Sequence, residues 1–389
     1  MSTILTFGAV LKGLPRKEFD QAVRRHCADK YCKHFTCWRH LIALVYAQLS
    51  GAGSLRELEL SFNSHCQDHG ALQAGVIRRT TMADANERRS TVVFDEMAAW
   101  LIGQVSGKVH REAAALTYLL DSTSFTLKGR EFDRWTLVNR TRNTQGIKLH
   151  VLLNLSTKGP QWYSFSAANV NDVDQALSLP LEPDALYVFD KGYCNYNWWR
   201  QIDDTGACFV TRFKSNAALV IREERAIPAA EQDFVLRDEI VCFKRRRPGG
   251  HRVNQYDKAL RRVTVHRADK STDLVLATND LNSPASDIAQ RYKERWEIEL
   301  FFKWIKQHLK IKSFFGRSSN AVRLQLVTAL IAYMLIALYR RAQCAAHTLW
   351  ESLSMIRTSL FTAAVSDTTL PPRRRRSSDF NPSLPGEAR

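Results

Sequence analysis

The 389-residue chain carries 56 Lys and Arg against 39 Asp and Glu, a formal net charge of +17. At 45% hydrophobic and 24% charged residues the composition excludes a disordered or fibrous chain, and the length can bury a sizeable core in two or three domains. So large a basic excess points to a polyanionic partner, most commonly nucleic acid, with a merely basic or ribosome-like surface as the plain alternative.

In chain order, "MSTILTFGAVLKGLPRKEF" has no basic leader followed by a long apolar core, so no export signal is expected and a cytoplasmic location is the default. Eight cysteines, at 27, 32, 37, 66, 194, 208, 242 and 344, form no CxxC pair and suggest reduced thiols. Residues 1–110 predict an all-helical N-terminal domain. "FTCWRHLIALVYAQLSGAG" has Thr36 before and glycines after a periodic apolar segment, and Ser54 with Glu57 forms a capping-box pattern. In "VIRRTTMADANERRS", Thr80 or Thr81 is expected to cap a short helix. Two short helices, the second framed by Arg78, Arg79, Arg88 and Arg89, suggest a DNA-binding helix-turn-helix, against the alternative of an ordinary helical surface rich in arginine.

From 111 to 206 the pattern turns to strands: "ALTYLLDSTSFTL", "RWTLVNRT", "GIKLHVLLNLS" and "QWYSFSAANV". A helical segment near 172–179 precedes "ALYVFDKGY", which predicts a buried central strand presenting Asp190 at its C-terminal edge. Strand-like runs over 207–280 predict a β-rich insertion with a basic hairpin at Lys244–Arg247. Residues 281–345 hold "RYKERWEIELFFKWIKQHLK" (291–310), read as one helix on which Tyr292, Arg295, Glu299, Lys303 and Lys306 share an arc of about 80°. Apolar residues including Trp296, Ile298 and Leu300 cover most of its remaining circumference, so the helix should be mostly buried with its polar stripe on a groove. A purely structural seam of ion pairs is the competing reading. The run "LVTALIAYMLIALY" has fourteen residues, short of the roughly 20 that span a bilayer, so a core helix and no membrane are expected. Residues 346–389 predict a C-terminal helix and a disordered basic tail.

An acid that follows a run of core residues on a strand is unusual, because burying a carboxylate is costly unless it is paired or binds a metal. Asp121 and Asp190 both do so, and paired strands could hold them a few ångströms apart. Oxygen-only ligands select Mg²⁺ or Mn²⁺. Two such ions about 3.5–4 Å apart support phosphodiester cleavage. For either aspartate alone, a turn or helix cap explains it as well.

The order strand–Asp, strand–Asp, β-rich insertion, helix–Glu resembles the DDE transposases of bacterial insertion sequences, and within them the IS-four group. The resemblance rests on "LDST" at Asp121, "FDKGY" at Asp190, "GIKLHVLLNL", and the Tyr-x2-Arg-x3-Glu-x6-Lys signature met by Tyr292, Arg295, Glu299 and Lys306. It implies an α/β, RNase-H-like catalytic core in which Asp121, Asp190 and Glu299 bind two Mg²⁺ ions. Tyr292, Arg295 and Lys306 would then grip phosphates, on a dimer holding two ends of double-stranded DNA. It also implies recognition of terminal inverted repeats and cut-and-paste transposition. Some relatives stack a flipped base on a Trp of the insertion during a hairpin step. No Trp lies in this insertion, leaving Phe209, Phe213, Phe234 or Tyr256 as substitutes. An RNase-H-like nuclease without strand transfer and an inactive transposase-derived DNA-binding protein are the alternatives.

Overall fold

The computed structural model of the protein describes residues 5–106, 116–136, 138–139, 144–248, 253–267, 272–343 and 346–362. The N-terminal region is helical: α1 (Thr6–Leu11), α2 (Arg16–Arg25), α3 (Cys37–Ser50), α4 (Leu55–Asn63), α5 (Arg79–Arg88) and α6 (Val92–Ser106). Thr36 caps α3, its hydroxyl accepting from the Arg39 N–H at 3.4 Å, and Gly51 closes the helix in the left-handed region at φ 79°. Ser54 caps α4, but Glu57 reaches one residue past the expected box and accepts from the Gly53 N–H at 2.6 Å. Thr80 and Thr81 do not cap α5. They lie inside it, behind an Arg78 N-cap that offers no side-chain bond. The connection from α4 to α5 spans residues 64–78 and contains a 3-10 turn at Cys66–Asp68. That is far longer than the roughly 3–4-residue turn of a helix-turn-helix, so α4 and α5 pack together without forming that motif.

Among the described residues ten strands form one sheet: β1 (Thr117–Thr126), β2 (Val138–Asn139), β3 (Thr144–Asn154), β4 (Gly159–Ala167), β5 (Leu186–Phe189), β6 (Cys208–Arg212), β7 (Leu219–Glu224), β8 (Val235–Phe243), β9 (Leu260–Val265) and β10 (Leu274–Thr278). The order is β4–β3–β1–β5–β6–β10–β9–β8–β7, with β2 adding a short rung to β3. β1, β5 and β6 are parallel, whereas β3 pairs antiparallel with β1 and β4 antiparallel with β3. This is the α/β, RNase-H-like core that the resemblance implied, preceded by helices. β10 pairs antiparallel with β6, so β9, β8 and β7 continue the same sheet outward instead of forming a sheet of their own. Of the expected strand "RWTLVNRT" only Val138–Asn139 is described as strand, and residues 137 and 140–143 lie outside the described residues. Gly146 on β3 is required sterically: at φ 149° a Cβ there would collide with the Phe125 carbonyl oxygen.

The remaining helices among the described residues are α7 (Arg130–Asp133), α8 (Asp172–Ala176), α9 (Tyr196–Asp204), α10 (Ala285–Glu294), α11 (Trp296–His308), α12 (Ser319–Ala342) and α13 (Leu349–Ser359). The 24-residue α12 extends well beyond the apolar run and is long and apolar enough to cross a membrane, yet 83% of its most apolar window is buried within the protein. α3, α5, α6 and α13 pack around it. One hydrophobic cluster joins Phe7, Leu41 and Phe94 of the N-terminal helices to Leu119 and Val188 of the sheet and Ile331 of α12. A second, on the other sheet face, gathers Tyr118, Leu120, Phe189, Trp198, Trp199 and Phe209. The expected basic tail, from residue 363 onward, lies outside the described residues.

Candidate active site

Parallel pairing of β1 with β5 ends at Leu120 opposite Phe189, and the next residues on the two strands are Asp121 and Asp190. Leu120 and Phe189 point into the second core, so strand alternation sends the two aspartates to the opposite face. Asp121 is not at a strand end as the sequence suggests. β1 continues to Thr126, with Asp121 still paired to Val151 of β3. Asp190 does end its strand, leading into a 3-10 turn at Lys191–Tyr193.

Over this face crosses α11, packed on β1. The single helix expected for 291–310 is broken at Arg295. There the Arg295 N–H donates to the Tyr292 carbonyl, and the Ile298 N–H to the Arg295 carbonyl, both at 3.2 Å. These i,i+3 bonds tighten the turn where the signature residues meet the strands. Arg295 donates from Nη2 to Glu299 Oε1 at 2.6 Å and from Nη1 to Asp121 Oδ2 at 3.4 Å, so one guanidinium spans two of the acids. The third, Asp190, accepts on Oδ1 from Arg212 Nη2 at 2.6 Å and from the Tyr292 hydroxyl at 3.1 Å. Lys306 donates to the Ser124 carbonyl of β1 at 3.2 Å and lies beside a cavity of about 190 Å³ lined also by Phe125, Lys312 and Phe314. Lys303 is exposed.

The electrostatics follow from these contacts. Burial pushes the Asp121 carboxyl up to about 6, helped by the negative charges of Glu299 and Asp190 and opposed by the Ser122 N–H and Arg295. Burial also acts upward on Asp190, but Arg212, the Lys191 N–H and Arg295 together outweigh it and hold the carboxyl below its usual range. The Tyr292 phenol is pushed up to about 12, chiefly by burial. Burial, then the charge of Lys312, holds the Lys306 ammonium below its usual range. Arg295 Nε is buried with no acceptor among the described residues.

Among the described residues no three His, Cys, Asp or Glu side chains converge closely enough to hold a metal ion. The donor set nevertheless fits a hard cation. It is all oxygen and comes from three separate elements, and the charges of Glu299 and Asp190 add, after burial, to the rise of the Asp121 carboxyl. Guanidiniums supply the positive charge here.

Two other expectations change. Trp296 and Leu300 are 44% and 41% exposed, because only Ile298, Phe301, Phe302 and Ile305 of α11 face the core. Phe209, Phe213 and Tyr256 are buried in the second core and Phe234 is half-buried, so the proposed stacking substitutes serve as packing. Of the N-terminal arginines, Arg78, Arg79 and Arg88 are exposed. Arg89 donates to the carbonyls of Thr36 and Phe35 and lies 5.1 Å from the Phe35 ring, which makes it a tie between α5 and the start of α3. None of the four pairs with the three acids. Sequence reasoning missed Arg212, whose only signal was a cation closing the strand "CFVTR" next to that of Asp190.

Residues 113–335 match the family described as transposase DDE domain, and residues 2–69 match a domain of unknown function, DUF4372. The chain is 42% identical over 261 residues to the protein y4zB of Sinorhizobium fredii, named as a transposase, covering 67% of this chain and 71% of that one. It is 24% identical over 277 residues to a Synechocystis protein named as a transposase for insertion sequence element IS4SA, covering 69% and 73%. Among solved structures it is similar to piggyBac transposase in a synaptic complex with hairpin DNA, with a TM-score of 0.49 and 11% identity over 92% of this chain and 80% of that one. The α/β core and the match over residues 113–335 place the chain in the DDE class of enzymes. The chain belongs to the DDE transposase family of insertion sequences and is an enzyme acting on DNA. Enzymes of this family normally use divalent metal ions.

Proposed function

We propose that the groove between β1, β5 and α11 cuts and joins DNA at the terminal inverted repeats of the chain's own insertion sequence. The observation that carries this reading is that Arg295 joins Asp121 of β1 to Glu299 of α11, while Asp190, following Phe189 on the neighbouring strand, is held by Arg212. In this reading the three acids hold two Mg²⁺ ions, with Mn²⁺ able to substitute. When bound, such ions activate water and stabilise the leaving oxygen. Arg295, which pairs with Asp121 and Glu299, would offer its fork and its unpaired Nε to a DNA phosphate. Tyr292 and Arg212 fix Asp190 from two sides. Lys306, beside a cavity lined by no acid, holds a second phosphate. Arg78, Arg79 and Arg88 add phosphate contacts from the N-terminal helices, while Arg89 stays on its carbonyls. Two copies acting as a dimer would hold the paired ends and the target duplex. With Phe209, Phe213 and Tyr256 buried, the support for a hairpin step on the insertion strands is weak.

The test is full-length protein with Mg²⁺ and end-labelled DNA carrying the element's termini, resolved on a denaturing gel where nicks, hairpins and joined products separate. Asp121→Asn and Glu299→Gln should bind the ends as tightly as wild type, with the same steep fall in affinity as salt rises. Cleavage by both should drop at least about 10²–10³-fold. Cutting by either variant at near wild-type rate would remove that residue from the site.

A further inference from the structure

Beneath the acid groove, on the other face of β1, lies a buried polar cluster that the reading above leaves unused. Ser122 follows Asp121 and therefore points to the opposite face of the strand. There the register sets it beside His150 of β3, with Lys148 opposite Ser124. The Ser122 hydroxyl donates to Asp172 Oδ1, at the start of α8, at 2.9 Å. Lys148, buried, donates to the same oxygen at 3.0 Å and to the Val170 carbonyl at 2.7 Å. His150, fully buried, lies 2.8 Å from Ser166 Oγ and 3.9 Å from Asp172 Oδ1. Burying a lysine and an aspartate is a poor route to stability compared with apolar side chains of like size. The cluster therefore calls for another explanation.

Its position supplies one. β1 loses its partner β5 at Leu120. Among the described residues it is paired from Asp121 onward with β3 alone, so β5 no longer holds the Asp121–Ser122 peptide on that side. The Ser122 N–H is also what holds Asp121 Oδ1, at 2.8 Å. The hydroxyl of the same residue is gripped from below by Asp172.

We propose that Asp172, anchored by Lys148, is a positioning residue: through the Ser122 hydroxyl it fixes the backbone at the point where β5 leaves β1, and so fixes the direction of the Asp121 carboxylate. Tyr193, buried in the turn after Asp190, closes the group near Ser122, its phenol raised by burial and then by the charges of Asp121 and Asp172. This assignment rests on the reading of Asp121 as a catalytic acid.

The experiment uses full-length protein and follows DNA cleavage against Mn²⁺ concentration, with Mn²⁺ binding in the absence of DNA measured by titration calorimetry. Ser122→Ala removes only the hydroxyl link. It should lower kcat and weaken Mn²⁺ binding about 10–100-fold, the usual effect of losing an outer partner of a ligand, with KM for DNA unchanged. Ser122→Thr, which keeps the hydroxyl, should restore both. A second variant, Asp172→Ala combined with Lys148→Met, removes the anchor without leaving a buried charge unpaired. It should reproduce the same losses, and adding Ser122→Ala to it should cost nothing further. Wild-type cleavage and Mn²⁺ binding by Ser122→Ala, failure of Ser122→Thr to restore them, or losses that multiply in the combined variant would each overturn the proposal. If Ser122→Ala does not fold, the double variant alone decides by the same two readouts. Asp121→Asn, run in parallel, separates the two readings. If it cuts, the site assignment fails. If it is inactive while Ser122→Ala is fully active, only the positioning role fails.

Discussion

Arg212 shows how a single residue changes the meaning of its neighbour. Parallel pairing of β5 with β6 runs as far as Val188 opposite Val210, and two residues further along each strand lie Asp190 and Arg212 on the same face. Arg212, with the Lys191 N–H and Arg295, offsets the burial of Asp190 and holds its carboxyl below the usual range. Arg212→Met should therefore lower stability in EDTA by about 1–3 kcal/mol, the range for a charged acceptor left without its partner. Added Mg²⁺ should recover much of that loss, because a bound ion stabilises the folded state by mass action and replaces the missing charge. Thermal unfolding with and without Mg²⁺ measures both. If Mg²⁺ leaves the deficit of the variant unchanged, the guanidinium is a structural tie and not a stand-in for a cation. The three acids stood out in the sequence through their order, strand–Asp, strand–Asp, helix–Glu, and through the Tyr-x2-Arg-x3-Glu-x6-Lys spacing around Glu299, since a turn or helix cap explains either aspartate alone. Arg212 did not, since an arginine closing a strand looks like any surface residue until the strand register is known.

Among elements, those whose boundaries are set by local chemistry were the readable ones. The Thr36 cap, the Gly51 stop and the apolar run of β5 all lie where residue type alone places them. Tertiary contacts decided the rest: α5 starts without a cap, and the helix over 291–310 breaks at Arg295, where its side chain is shared between two acids. α5 is held instead by His40 of α3, whose Nε2 bonds Asn86 Oδ1 at 2.8 Å in a fully buried site. Burial, with the nearby charge of Arg89, drives the His40 imidazole down to about 3. A depressed histidine binds its proton more readily in the unfolded chain, so its contribution to stability is complete above pH 6.5 and declines as pH falls toward 3. At pH 5 the loss from this residue is about 2 kcal/mol, 1.5 pH units below the ordinary value at 1.36 kcal/mol each. Denaturant unfolding at pH 7.5 and 5.0 should show a shallower decline for His40→Gln than for wild type. Parallel declines would assign the acid sensitivity elsewhere.

At the scale of the molecule, the sequence suggests an N-terminal helical unit that stands apart, whereas the packing ties it to the rest. The buried Gln48 of α3 donates to the carbonyls of Lys310 and Gln325 and accepts from the Lys310 N–H at 2.7 Å. Asn320 of α12 bonds the carbonyls of Asn86 and Arg89, closing the end of α5. The N–H groups of Thr6 and Phe7 bond the carbonyls of Thr362 and Leu360, so the first helix is held by the last described residues. Composition could not reveal this, because it rests on which helix fills the groove between α3 and α6, and α12 lies more than 200 residues further along the chain. Residues 1–106 expressed alone would bare the faces of α3, α5 and α6 that α12 covers and leave the Gln48 amide without its partners. Each large apolar side chain uncovered costs about 1.5–3 kcal/mol, so a handful exceeds the roughly 5–15 kcal/mol that keeps a typical domain folded. The expected outcome is a fragment that binds ANS and melts without a cooperative transition, while the full chain unfolds with its N-terminal helices and core together in one calorimetric peak. A fragment with a sharp transition of its own, or two separate peaks in the full chain, would show that the N-terminal helices fold without α12. Recognition of the DNA ends is for this reason best measured on the full-length chain inactivated at Glu299, where α5 and its exposed arginines keep the support that α12 provides.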